Sequence, residues 1–226
     1  MKYHELSPEL LMDTLERLHQ RIEARFPNAG LARMCASLIQ TARVSIAQAA
    51  RMASANWPLR FIVGAIIVAG VGAQIAAAKY LHLSEFEVGL LGNLEAAVNL
   101  LILFGGAIWF LLTLEERMKR QRALDALHQL RSFAHVIDMH QLTKDPVALL
   151  QERAPPRRMS KFELSRYLDY CAEMLALIGK IAALYAERVR DPVVIETVTE
   201  IENLTNGIAR KIWQKITLLG DIEESA

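Results

Sequence analysis

Apolar residues recur along this chain in two distinct patterns. Near the start they fall every three or four positions, at Leu11, Leu15, Leu18, Ile22 and Phe26. That spacing lines one face of a helix. Over 61–78 and again over 88–114 the polar positions almost vanish. Beyond residue 160 the three-four spacing returns. It runs from Leu164 through Leu168, Cys171, Leu175, Ile178, Ala182 and Tyr185 to Val189, then from Val194 through Val198, Ile201, Leu204, Ile208, Ile212 and Ile216 to Leu219. No long strand-like alternation interrupts these runs. The expected fold class is all-α: a two-pass transmembrane helical hairpin joined to a cytoplasmic helical bundle that ends in an αα-hairpin. The C-terminal stripes run near the coiled-coil period, so an intermolecular bundle is a further expectation.

The punctuation between the runs sets the boundaries. Ser7, Pro8 and Glu9 read as an N-cap, a first helical position and a first-turn acid. Pro27, Asn28 and Gly30 break the first helix. The alanine-rich basic helix that follows either packs on the C-terminal part or lies along a membrane face. Lys144, Asp145 and Pro146 close a long helix that continues the second apolar run. Ser160 and Glu163 have the spacing of a capping box. Asp191 and Pro192 end one helix and start another, and Gly220 is expected to stop the last one before a fraying acidic tail. The expected domains are 1–57 (N-terminal cytoplasmic helices), 58–114 (the hairpin, with spans at about 59–79 and 89–114), 115–144 (a juxtamembrane helix), 145–160 (a basic, proline-containing linker) and 161–220 (the αα-hairpin).

The membrane reading rests on length. About 20 apolar residues cross a hydrocarbon core roughly 30 Å thick. Trp57 and Trp109 suit the interfacial layers. Arg43, Arg51 and Arg60 precede the hairpin, and Arg117, Lys119, Arg120 and Arg122 follow it, whereas the connection over 79–89 carries one Lys and two Glu. Positive residues stay inside, so both termini are expected in the cytoplasm of a bacterial inner membrane. The N-terminal residues lack an apolar signal region, which agrees with that placement.

The spans carry small and polar residues too. Ala65, Ala69, Ala73 and Ala77 recur every four positions, as suits close helix packing. Gly92, Glu95, Asn99, Ile102 and Gly106 share a second stripe. That stripe serves helix packing within the hairpin, an oligomer interface or a polar pathway. A carboxylate at the bilayer centre costs several kcal/mol, which singles out Glu95. Gln74, Glu95 and Asn99 are expected at similar depth. They would form a hydrogen-bonded cluster with Lys79 near Glu95, or line a narrow cation-permeable pore in an oligomer. A purely interfacial position for Glu95 is the third reading.

Composition narrows the chemistry. The chain has 226 residues, 53% of them hydrophobic, and a formal net charge of +1. No strong field draws nucleic acid, so a duplex partner is not expected. Cys35 and Cys171 lie far apart in regions expected in the cytoplasm, so neither a disulfide framework nor a cysteine-built zinc site is expected, and each reads as a small buried residue. His128, Arg131, His135 and Asp138 recur on one helix face. They are weak metal candidates, because no known ligand spacing is present. Arg153, Arg157, Arg158 and Lys161 are a candidate anion-binding set on a linker stiffened by two prolines. No catalytic motif stands out, so no catalytic residue and no cofactor are expected.

The function expected is a non-enzymatic membrane protein that oligomerises and acts by membrane perturbation, ion conduction or signal-coupled assembly. The alternative is a membrane-tethered scaffold that recruits a cytosolic partner through its C-terminal helical hairpin. In layout alone the chain resembles two-pass membrane effectors of prokaryotic defence systems, in which a cytosolic helical domain senses a signal. That resemblance carries no motif and transfers no residue role. The partners expected are the lipid bilayer, further copies of the chain, and a cytosolic protein or a phosphorylated small-molecule signal.

Overall fold

A computed structural model describes residues 6–27, 29–52, 57–81, 90–142, 144 and 159–224, with the side chains of 57–60, 74, 77–78, 80–81, 90–97, 100, 103, 112 and 221–224 excepted. Among the described residues there is no strand. The elements in chain order are α1 (Pro8–Arg25), α2 (Gly30–Met52), α3 (Trp57–Leu81), α4 (Leu90–Leu142), α5 (Lys161–Arg188) and α6 (Pro192–Glu224). The all-α class holds. Among the described residues, no helix is long and apolar enough to cross a membrane. The spans expected at about 59–79 and 89–114 are therefore not carried by the described residues. Both runs include positions whose side chains lie outside that set.

The chain divides into two compact units, Met1–Ala53 with Arg122–Ala226 and Ser54–Gln121. The larger unit is a helical bundle. Its first helix starts where the Ser7 Oγ accepts the Leu10 N–H at 3.3 Å, with Pro8 in the first turn, where its missing donor costs nothing. Leu11, Leu15, Leu18 and Ile22 are buried along one face. Phe26 ends the helix and sets its ring edge-on against Tyr167 and Tyr170, 5.8 and 6.3 Å between centroids. Edge-to-face pairs of this kind add about 0.5–1.5 kcal/mol beyond area burial.

α5 is the central element, packed against α1, α2 and α6. Its capping box is formed. The Glu163 N–H donates to Ser160 Oγ at 3.2 Å and the Ser160 N–H donates to Glu163 Oε2 at 2.7 Å. Most of its residues are buried, from Leu164 to Tyr185. The Tyr185 hydroxyl donates to the Ser45 carbonyl at 3.0 Å, which ties α5 to α2 inside the core. Asp191 Oδ1 accepts the Val193 and Val194 N–H groups at 3.0 and 3.4 Å and starts α6. At Gly179 an added Cβ would stand 3.3 Å from Thr205 Oγ1, so α5 and α6 approach closely there.

Two sequence expectations are corrected. α6 does not stop at Gly220 but runs on to Glu224. A single exposed glycine costs a helix about 1 kcal/mol, too little to end one already propagating. The second correction concerns the membrane-surface alternative for α2. Leu31, Met34, Cys35, Leu38, Ile39 and Ala42 are buried in the bundle, so α2 is a core helix.

The distal part of α4 joins the same core. Ala123, Ala126, Leu127, Leu130, Ala134 and Ile137 are buried at three-four spacing. The αα-hairpin of α5 and α6 is thus one layer of a larger bundle. α1, α2 and the end of α4 complete it.

Candidate functional site

The smaller unit, Ser54–Gln121, is where the sequence concentrates its unusual residues. α3 and the first part of α4 meet at Gly70. A Cβ there would run into the Phe104 ring, so the glycine admits the ring against the α3 backbone. About 17 Å of α3 and 21 Å of α4 separate this contact from Leu81 and Leu90. The chain between those two residues can reach only about 31 Å. The helices are therefore antiparallel.

That contact sets the register to within about one helical turn. Equal steps outward from Gly70 and Phe104 put Gln74 level with Leu100, Lys79 level with Glu95, and Arg60 level with Leu114. The backbone positions of the predicted polar set thus share one end of the hairpin. Asn99 is exposed, one residue from the Gln74 level, and Lys79 is exposed as well. The side chains of Gln74 and Glu95 lie outside the described residues.

The described side chains trace a seam between the two helices. On α3, Val63 and Gly70 are buried; on α4, Phe104, Ile108, Leu111 and Glu115 are half-buried at four- and three-residue spacing. Glu115 takes Lys119 as an ion-pair partner at 2.8 Å. Most large apolar residues off this seam are open. Phe61 and Val68 are 71% exposed, Leu101 70% and Trp109 72%. A Cβ at Gly64, Gly72, Gly105 or Gly106 would meet nothing within 4 Å.

Of the other predicted groups, His128, Arg131 and His135 line one open surface hollow together with Ser132 and His140. Arg153, Arg157 and Arg158 lie outside the described residues. Lys161 is exposed at the first position of α5. His128 and His135 are exposed, whereas Asp138 is half-buried and accepts the Gln141 side-chain amide at 2.7 Å. Among the described residues no group of three or more His, Cys, Asp or Glu side chains could hold a metal ion. Arg131 pairs instead with Glu200 of α6.

The polar feature that sequence reasoning missed is Gln141, only 1% exposed. Lys215 of α6 donates to its carbonyl at 3.1 Å and to its Oε1 at 2.8 Å. The carbonyls of a last helical turn lack intrahelical donors, so a cation there completes the end of α4. The signal was present in the sequence: Gln141 continues the buried stripe of Ala134 and Ile137, and a polar residue in a core register needs a partner. At the same end His140 lies against α2, where a Cβ on Gly30 would come within 3.1 Å of His140 Cε1.

The two cysteines of the bundle are buried and unreactive. Burial pushes the Cys35 and Cys171 thiols up to about 12, which leaves almost no thiolate at neutral pH. Burial also raises the Tyr167 and Tyr185 phenols, with the Ser45 hydrogen bond opposing the second shift in part. Neither thiol is thus poised as a nucleophile. In comparisons with protein-family models, curated proteins and solved structures, the chain matches none.

Proposed function

We propose that this chain is a two-pass protein of the bacterial cytoplasmic membrane. It is not an enzyme, and it assembles into oligomers through its hairpin. It acts by perturbing the bilayer, conducting ions or coupling a cytosolic signal to assembly. The helical bundle and both termini lie on the cytoplasmic side. The observation that carries this reading is the exposure of large apolar side chains on both helices of the smaller unit, among them Phe61, Val68, Leu101 and Trp109. Each such side chain gains about 1.5–3 kcal/mol on leaving water. A monomer in water rarely leaves more than a few hundred Å² of contiguous apolar surface open. Acyl chains or further copies are the environments that relieve this cost.

The test is extraction. The full chain should stay with membranes after an alkaline carbonate wash, enter solution with detergent and give a cross-linked ladder. Recovery as a monodisperse protein without detergent would overturn the reading. In planar bilayers, loss of conductance on Glu95→Gln would assign a pore, and unchanged conductance would leave Glu95 a packing role.

A second reading, the membrane-tethered scaffold, draws on the outer face of α6, where Trp213 is 56% exposed. α5 is too deeply buried to contribute much to such a surface. If Trp213→Ala abolishes function while changes at Gln74, Glu95 and Asn99 do not, the scaffold is favoured.

A further inference from the structure

The end of the hairpin at which α3 begins is strongly basic. The register places Arg60 level with Leu114, and α4 then carries Arg117, Lys119 and Arg120 within its next two turns. Two carboxylates share this end. Glu115 is engaged by Lys119 at 2.8 Å, and Glu116 is exposed. Four cations against two anions leave an excess of positive charge. Arg117 is exposed and, among the described residues, makes no ion pair.

The position of Arg117 on the helix matters more than its charge alone. Seven residues separate it from Phe110, so the two share one face about two turns apart. Phe110 is 57% exposed, and Trp109 beside it is also open. One helix face thus passes from bulky aromatic rings to a free guanidinium over roughly 10 Å. Aromatic rings favour the boundary of the hydrocarbon layer, and a guanidinium donates two parallel hydrogen bonds to a phosphate. A zwitterionic headgroup cancels its own phosphate charge, whereas an anionic one does not.

We propose that Arg117 binds the phosphate of an anionic phospholipid headgroup at the basic end of the hairpin. This rests on the two-pass reading above and adds the chemical class of lipid. The aromatic residues hold the acyl region, and Arg117 selects the headgroup. Lys119 stays with Glu115, and Arg120 adds to the attractive potential.

The full chain, placed in nanodiscs of mixed phosphatidylcholine and phosphatidylglycerol, tests this. Lipids that remain bound on gentle release are counted by native mass spectrometry. Phosphatidylglycerol should be enriched roughly fivefold over its bulk fraction, the order expected for one basic residue near a surface. Arg117→Gln should lose most of that enrichment, and Arg117→Lys should keep part of it. Bound lipid that matches the bulk composition, or enrichment unchanged in Arg117→Gln, overturns the proposal while the two-pass reading stands. A chain that never enters the discs and remains soluble overturns both.

Discussion

Cys35 and Cys171 show how burial alone sets chemistry at single residues. Both thiols are pushed from an ordinary value of 9.0 up to about 12, and for Cys171 the charge of Lys215 opposes the shift only in part. Above pH 9 the unfolded chain releases these protons and the folded chain keeps them. The native state then holds more protons, so stability falls as pH rises from about 9 towards 12. The raised Tyr185 phenol acts in the same direction at higher pH. The melting temperature should therefore be flat between pH 7 and 8.5 and decline steadily above 9, with a shallower decline in Cys171→Ala. At pH 8 neither thiol should react with a maleimide until denaturant is added. Rapid labelling of the folded protein would contradict this burial. The cysteines could be assigned to the core from their place in the apolar stripes. The register of Gln141 also marks it as buried, but its partner could not be read from the sequence, because Lys215 lies 74 positions away.

At the scale of elements, α3 and α4 approach closely at Gly70. Gly70 receives the Phe104 ring, whereas Gly72, two residues on, faces open space. Gly70→Leu should force α3 and α4 apart and leave the unit prone to proteolysis. Gly72→Leu should leave the hairpin itself intact, because a side chain there meets nothing. The same pair of variants reports on assembly when cross-linking is measured in membranes. If Gly72→Leu abolishes cross-linked oligomers without affecting protease resistance, the open glycine face is where a second copy packs. Oligomers unchanged in Gly72→Leu would remove that face from the interface. The small residues of α3 were visible in the sequence, but their division into an occupied and an open side was not. Glycine carries no hydrophobic signal, and only a neighbouring ring distinguishes Gly70 from Gly72.

For the whole molecule, the core of the bundle is assembled from two stretches of chain on either side of the hairpin. The bundle therefore needs the hairpin only as a connection. Replacing residues 54–121 by a flexible Gly/Ser linker should give a soluble, helical protein with a cooperative thermal transition, read by circular dichroism and size exclusion. Aggregation or loss of cooperativity in that chain would show that the apolar segments also support the bundle. Long-range contacts such as Arg21 with Glu173 and Tyr185 with Ser45 hold α1 and α2 to α5. Exposed ion pairs contribute little, about 0–1 kcal/mol. The buried apolar faces and the phenol-carbonyl bond decide the packing.

Taken by itself, the sequence determined the all-α class, the stripes that α1, α5 and α6 bury, and the caps at Ser7, Ser160 and Asp191. These follow from local chemistry: a period near 3.6 residues and side chains that satisfy free donors within a few positions. Tertiary structure alone decided that α1, α2 and the end of α4 share one core with the α5–α6 pair, that Lys215 completes the end of α4, and that Gly70 admits Phe104. Each of these joins residues far apart along the chain. Apolar periodicity states which face of a helix will be covered, and it carries no information about which distant element covers it.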